Sequence, residues 1–253
     1  MYMKICKIVV MACVFAIGSN ACKDNAPEDI NSITAGQIEN LNITSIDTTI
    51  GFYQAIGNQS SQFFDLDVDN DGTKDLRFQG LQEYWHGPTN YVTNINCLNN
   101  NISLLTSNVI DTIYFSSSTT FAQQGDTTLS ITYLRYNCQR LSENDIIDTI
   151  INNTILQNLT SGEIISINQL WGNAVYNMRK YNSSFPPIHI YSSNDTAYYE
   201  GISRQMYCHN FPQNEIIYLG FKISSGNFDK LGWIKIELTD NYRINIIEFA
   251  LSK

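Results

Sequence analysis

The chain has 253 residues, 43% of them apolar and 12% aromatic, enough to fill a packed core and to exclude global disorder. Its length fits one generous all-β domain or two small ones. The net charge of −9 becomes −11 once Lys4 and Lys7 leave with the N-terminal segment, and that balance excludes nucleic acid as an expected partner, since phosphate recognition rests on basic surface.

The first element in chain order is an address. Residues 1–22 read MYMKICKIVVMACVFAIGSNAC. Lys4 and Lys7 precede an apolar run, Ile8–Gly18, that is shorter than the roughly 20 residues a membrane-spanning helix needs and matches a signal-peptide core. Ser19, Asn20 and Ala21 supply small residues before a cut, and Cys22 follows. This resembles a bacterial lipoprotein signal, with Ser19 standing where such signals usually carry Leu or Val. The resemblance implies a signal peptide over 1–21, lipidation of Cys22 and anchoring in the outer membrane; ordinary secretion with an incidental Cys22 is the alternative. Lys23-Asp24-Asn25-Ala26-Pro27-Glu28-Asp29 resembles the surface-export signals of Bacteroidota lipoproteins, and residues 22–44 read as a flexible polar tether. A domain over 45–253 follows.

Gln62–Phe78 reads QFFDLDVDNDGTKDLRF, with five aspartates between positions 65 and 75. Phe64, Leu66 and Val68 alternate with Asp65, Asp67 and Asp69, and Leu76 and Phe78 alternate with Asp75 and Arg77. That period of two on both sides of Asn70-Asp71-Gly72-Thr73-Lys74 predicts a hairpin whose turn carries the acids. Carboxylates about 5 Å apart repel by roughly 1 kcal/mol in water and several-fold more when partly buried, so the cluster calls for a cation. Counted from Asp67, acids stand at positions 1, 3, 5 and 9, with Gly72 at 6. Calcium takes six to eight hard oxygens in such a pattern. The predicted ligands are Asp67, Asp69, Asp71, the Thr73 carbonyl and Asp75, with Asp65 or water to complete the shell. Phe78 stands where an EF-hand carries its bidentate Glu. The loop instead resembles the strand-flanked calcium loops of integrin-type propeller and thrombospondin-type repeats. A propeller needs several copies and this chain has one, so the resemblance implies a structural calcium site and nothing about the overall fold.

Beyond the loop, short strands alternate with turn clusters: Ile110–Ser116, Thr127–Tyr136, Pro187–Tyr191, Glu215–Ile223, Gly232–Leu238 and Arg243–Leu251. No regular βαβ alternation is present. The prediction is a mainly β protein, an antiparallel β-sandwich of jelly-roll type with one short helix. The helix is expected where Ile167, Leu170, Trp171, Ala174, Val175 and Met178 follow helical spacing behind a Ser166–Gln169 capping box. Glu143–Leu159 stays ambiguous between helix and strand. The C-terminal run from Tyr218 to Lys253 resembles the closing strands of uncharacterised Bacteroidota envelope proteins that carry a DxDxDG loop.

Asp-Thr followed by a small or aliphatic residue or Thr occurs at Asp47, Asp111, Asp126, Asp148 and Asp195, against roughly one occurrence expected by chance. The pattern resembles the O-glycosylation acceptor of Bacteroidota, which implies Thr48, Thr112, Thr127, Thr149 and Thr196 as acceptors; Asp-Thr is also a common turn and strand-edge pair. Of six cysteines, Cys97, Cys138 and Cys208 remain after the signal and the lipidated Cys22, enough for one bridge whose pairing the sequence leaves open. His86, His189 and His209 are the only histidines, and Cys208-His209 with the distant His189 is poor zinc spacing. No HExxH, GxSxG or Gly-rich phosphate loop is present. Trp85 is the best candidate for stacking on a sugar ring, though aromatics in sandwiches are more often core. The expected function is a non-enzymatic binding or structural module at the cell surface, engaging polysaccharide or an envelope protein. The alternative is a polysaccharide hydrolase or lyase whose carboxylates meet only in the fold.

Overall fold

The computed structural model describes residues 31–51, 60–84, 89–124, 126–137, 143–182, 189–193, 196–200, 203–205, 208–226, 228–239 and 243–253. Over these the chain forms strands and no helix. They are β1 (Ser32–Thr34), β2 (Leu41–Ile50), β3 (Ser60–Leu66), β4 (Leu76–Tyr84), β5 (Thr89–Cys97), β6 (Ile102–Gln124), β7 (Asp126–Asn137), β8 (Ile146–Leu156) and β9 (Ile164–Ser166). Then follow β10 (Trp171–Gly172), β11 (Val175–Asn182), β12 (His189–Ser193), β13 (Thr196–Glu200), β14 (Ser203–Gln205), β15 (Ile216–Ser225), β16 (Phe228–Leu238) and β17 (Ile244–Ser252).

Two sheets make a sandwich, antiparallel except where β14 runs parallel to β7. The larger runs β14-β7-β6-β15-β16-β17-β2, with β8 and β10 also paired to β6; the smaller runs β11-β5-β4-β3. Leu66, Leu76, Phe78, Ile95 and Met178 of the small sheet pack against Leu104, Leu219, Phe221, Ile234 and Ile236 of the large one. Residues next in sequence to these turn the other way. Leu105, Tyr218 and Trp233 join a second core with Ile33, Leu41 and Ile165, so the large sheet is buried on both faces at its centre. The period of two puts every second side chain in each core, and both sets must therefore be apolar. Tyr218 and Trp233 meet edge to face at 5.3 Å, and the Trp233 indole donates to the Gln37 carbonyl at 3.2 Å.

Two expectations change and one open reading is resolved. The folded body begins earlier than the tether reading allows: β1 pairs with β9, and Ile33, Ala35 and Leu41 are buried in the second core. Residues 31–44 thus belong to the domain, because the far face of the large sheet needs a cover. The predicted helix is not formed. Its capping box survives as a turn, with the Ser166 amide donating to Gln169 Oε1 at 2.6 Å and the Gln169 amide to the Ser166 carbonyl at 3.1 Å. The chain then extends. Trp171 and Gly172 pair with Leu105 and Leu104, while Tyr176 and Met178 point inward and Val175 is exposed, which is strand periodicity. At Gly172 a Cβ would lie 1.9 Å from Tyr176 Oη, so a side chain here would have to displace the hydroxyl end of the Tyr176 ring that packs over it. Third, the ambiguous Glu143–Leu159 segment contains strand β8, zipped along β6 from Thr106↔Leu156 to Phe115↔Ile146.

Candidate metal centre

The hairpin expected from the alternating acids is β3 and β4, in register Phe64↔Phe78, Asp65↔Arg77 and Leu66↔Leu76. Leu66, Val68, Leu76 and Phe78 are buried, which fixes which face the acids take. Asp65 does not face the loop. It accepts two hydrogen bonds from the Arg77 guanidinium, at 2.7 and 2.8 Å, and that guanidinium lies 4.3 Å over the Phe63 ring. The Arg77 hydrogen bond holds the Asp65 carboxyl below its ordinary 3.8. A lowered pKa contributes stability that is present above the ordinary value and lost as pH falls through the lowered one. Asp65→Asn should therefore lower the melting temperature slightly at neutral pH, slightly because the pair is part-exposed, and the difference from the unmutated protein should vanish as pH falls from 3.8 through the lowered value. Melting curves across pH 2 to 7 check this.

The loop is wound by its own acids. Gly72 N donates to Asp67 Oδ2 at 3.0 Å, Asp71 N to Asp69 Oδ1 at 3.1 Å, and Thr73 N to Asp71 Oδ1 at 2.6 Å. Asn70 and Gly72 take φ of 60° and 91°, the left-handed region that Asn and Gly tolerate. The result brings one carboxylate oxygen from each of Asp67, Asp69 and Asp71 within 4.8 Å of one another. Two oxygens on one calcium can lie up to about 5 Å apart, twice the bond length, so the three fit a single ion. Asp67 Oδ1 is buried and has no hydrogen-bond partner. An ionised oxygen left so is costly unless a cation meets it. Thr73 lies in the exposed part of the same turn.

Asp75 is placed differently from the other loop acids. It is buried, with Oδ2 accepting from Val68 N at 2.8 Å and Oδ1 from Asn99 Nδ2 at 2.7 Å. Asn99 Oδ1 in turn accepts from the amides of Asn101 and Ile102, where β6 begins. Burial pushes the Asp75 carboxyl above its ordinary value; the Val68 and Asn99 hydrogen bonds oppose this, and the charges of Asp69 and Asp67 add to it. Asp75 thus bolts the loop to the turn where the chain crosses from the small sheet to the large one.

The other candidate residues are scattered. Asp47-Thr48 sits at a bulge where β2 and β17 shift register between Ile246 and Glu248, with Asp47 at φ 49°. Thr112 and Thr149 are half-buried within β6 and β8. Thr127 and Thr196 fall in β7 and β13, and their side chains lie outside the described residues, as do Cys22, Trp85 and Cys138. Cys97 is a free thiol that burial pushes up to about 11, and Cys208 is disulfide-bonded.

One arrangement escaped sequence reasoning. Buried Asp111 accepts a hydrogen bond from Asn153 Nδ2 through Oδ2, and its Oδ1 lies 2.7 Å from His209 Nε2. The dipeptide Asp111-Thr112 reads as a glycosylation acceptor, and its histidine partner lies 98 positions away, so no local signal joins them.

No protein-family model, curated protein or solved structure matches this chain. Function therefore rests on its own residues.

Proposed function

We propose that this is a lipid-anchored protein of the outer membrane, exposed at the cell surface, whose β-sandwich is tightened by one calcium ion. Asp67, Asp69, Asp71 and the Thr73 carbonyl hold the ion, with water completing the shell, and the domain works as a non-enzymatic module that engages polysaccharide or another envelope protein. The observation that carries the metal reading is the convergence of one oxygen from each of three carboxylates, one of which, Asp67, also keeps a buried Oδ1 without a hydrogen-bond partner. Asp65 and Asp75 have both oxygens committed to protein donors, so they shape the loop and do not lead the ligand set. Three carboxylates on a solvent-facing turn suit the weaker class of calcium site, with dissociation constants of roughly 10⁻⁴ to 10⁻³ M, as in extracellular modules.

Equilibrium dialysis of the EDTA-stripped protein tests the ion: one calcium per chain is expected, and none bound at millimolar calcium overturns the site. The anchor is tested separately. Cys22→Ser should move the protein from the membrane to the soluble fraction, and retention in the membrane would overturn it. A glycan-array screen of the calcium-loaded protein then separates polysaccharide from protein partners.

A further inference from the structure

Asp111, Cys208 and His209 present a carboxylate oxygen, a sulfur and an imidazole nitrogen that all lie within 4.8 Å of one another. Oxygen, nitrogen and sulfur from three side chains form a donor set that suits zinc and not calcium, which takes oxygen alone. Asp111 is buried on β6 and oriented by Asn153 from the neighbouring β8; His209 and Cys208 are half-buried. The segment that carries Cys208 and His209 is tied to β11 just beyond them, with Phe211 N donating to the Met178 carbonyl at 2.9 Å and Lys180 N to Asn210 Oδ1 at 2.8 Å. Two of the donors already face each other at 2.7 Å, and opening that pair to roughly 3.3 Å gives the edge of a tetrahedron with bonds of about 2.0 Å.

The sulfur is what closes the site. Cys208 is disulfide-bonded, and zinc is bound by thiolate. We propose that reduction of the Cys208 disulfide by a dithiol opens a latent zinc site made of Cys208, His209 and Asp111. The reductant's two thiols become its own disulfide, the protein's bridge becomes two thiols, and the Cys208 thiol releases its proton to water as the metal binds. His209 binds through Nε2 as neutral imidazole, Asp111 through Oδ1, and water or a small anion takes the fourth position. A disulfide oxidant runs the sequence backwards: it is reduced to its two thiols, the protein's two thiols become the bridge again, and the metal is released. The pair of states makes a redox-gated metal site at the flank of the large sheet.

The test uses the whole purified protein, saturated with calcium so that the aspartate loop is filled, and cobalt(II) as the probe. After reduction with a phosphine and its removal, one cobalt per chain should bind with a sulfur-to-cobalt charge-transfer band and the intense visible bands of a four-coordinate ion. Zinc should abolish both. The oxidised protein should show neither. Cys208→Ser should lose the charge-transfer band, His209→Ala and Asp111→Asn should each weaken binding at least about tenfold, and Cys97→Ser should leave it intact. No cobalt band in the reduced protein, or a band that survives both His209→Ala and Asp111→Asn, overturns the proposal. Because a variant at buried Asp111 can lose its fold, zinc-induced stabilisation of the reduced unmutated protein is read alongside: a rise in melting temperature supports the site, and no rise overturns it.

Discussion

Calcium at a hundred times its dissociation constant should raise the melting temperature by about 5 to 10 °C. The magnitude follows from mass action: an ion that binds only the folded state adds about 2.7 kcal/mol at that excess. A domain of this size shifts by about 2 to 4 °C per kcal/mol. Asp69→Ala combined with Asp71→Ala should abolish the rise while changing the calcium-free melt little, since both residues are exposed and their mutual repulsion leaves with them. EDTA should lower the melt of protein purified in calcium by the same interval. A melt that ignores both calcium and EDTA sinks the metal reading.

Asp75→Ala should destabilise the fold by about 2 to 4 kcal/mol, because it leaves the buried Val68 amide and the Asn99 side chain without an acceptor, at about 1 to 3 kcal/mol for each buried orphan. Asp75→Asn is the informative contrast. It keeps an acceptor for the Val68 amide but turns an NH2 toward Asn99 Nδ2, losing that hydrogen bond, and against this it removes a charge that burial disfavours. The sign is fixed by the raised carboxyl pKa: ionising Asp75 in the fold lowers stability as pH rises from the ordinary 3.8 through the raised value, and asparagine is free of that penalty. Asp75→Asn should thus melt near the unmutated protein at neutral pH and still respond to calcium. Loss of the calcium response in Asp75→Asn would return Asp75 to the ligand set.

The hairpin was legible because everything that makes it is local: a period of two on each side and turn residues between them. The pairing of β2 with β17, which sets Thr49 against Asn245, joins opposite ends of the chain and leaves no such trace. The helix was misread for a related reason. Ile167, Trp171 and Met178 satisfy helical spacing, yet Trp171 lies against β6 and Met178 in the inter-sheet core, and tertiary contacts override a short apolar pattern. In the loop, the ninth position of a calcium motif and a buried structural carboxylate look alike in sequence. Burial, the Val68 amide and the Asn99 contact, 24 residues on, separate Asp75 from its neighbours.

The early start of the fold has a mechanical consequence. Between Cys22 and residue 31 there are only eight residues, and even fully stretched they reach about 30 Å. On the lipid anchor proposed at Cys22, the body would ride on a short leash, held within about one domain's width of the lipid headgroups. It would then not sweep the outer reaches of a thick surface coat. Its partner would have to come down to the membrane or be seated there already.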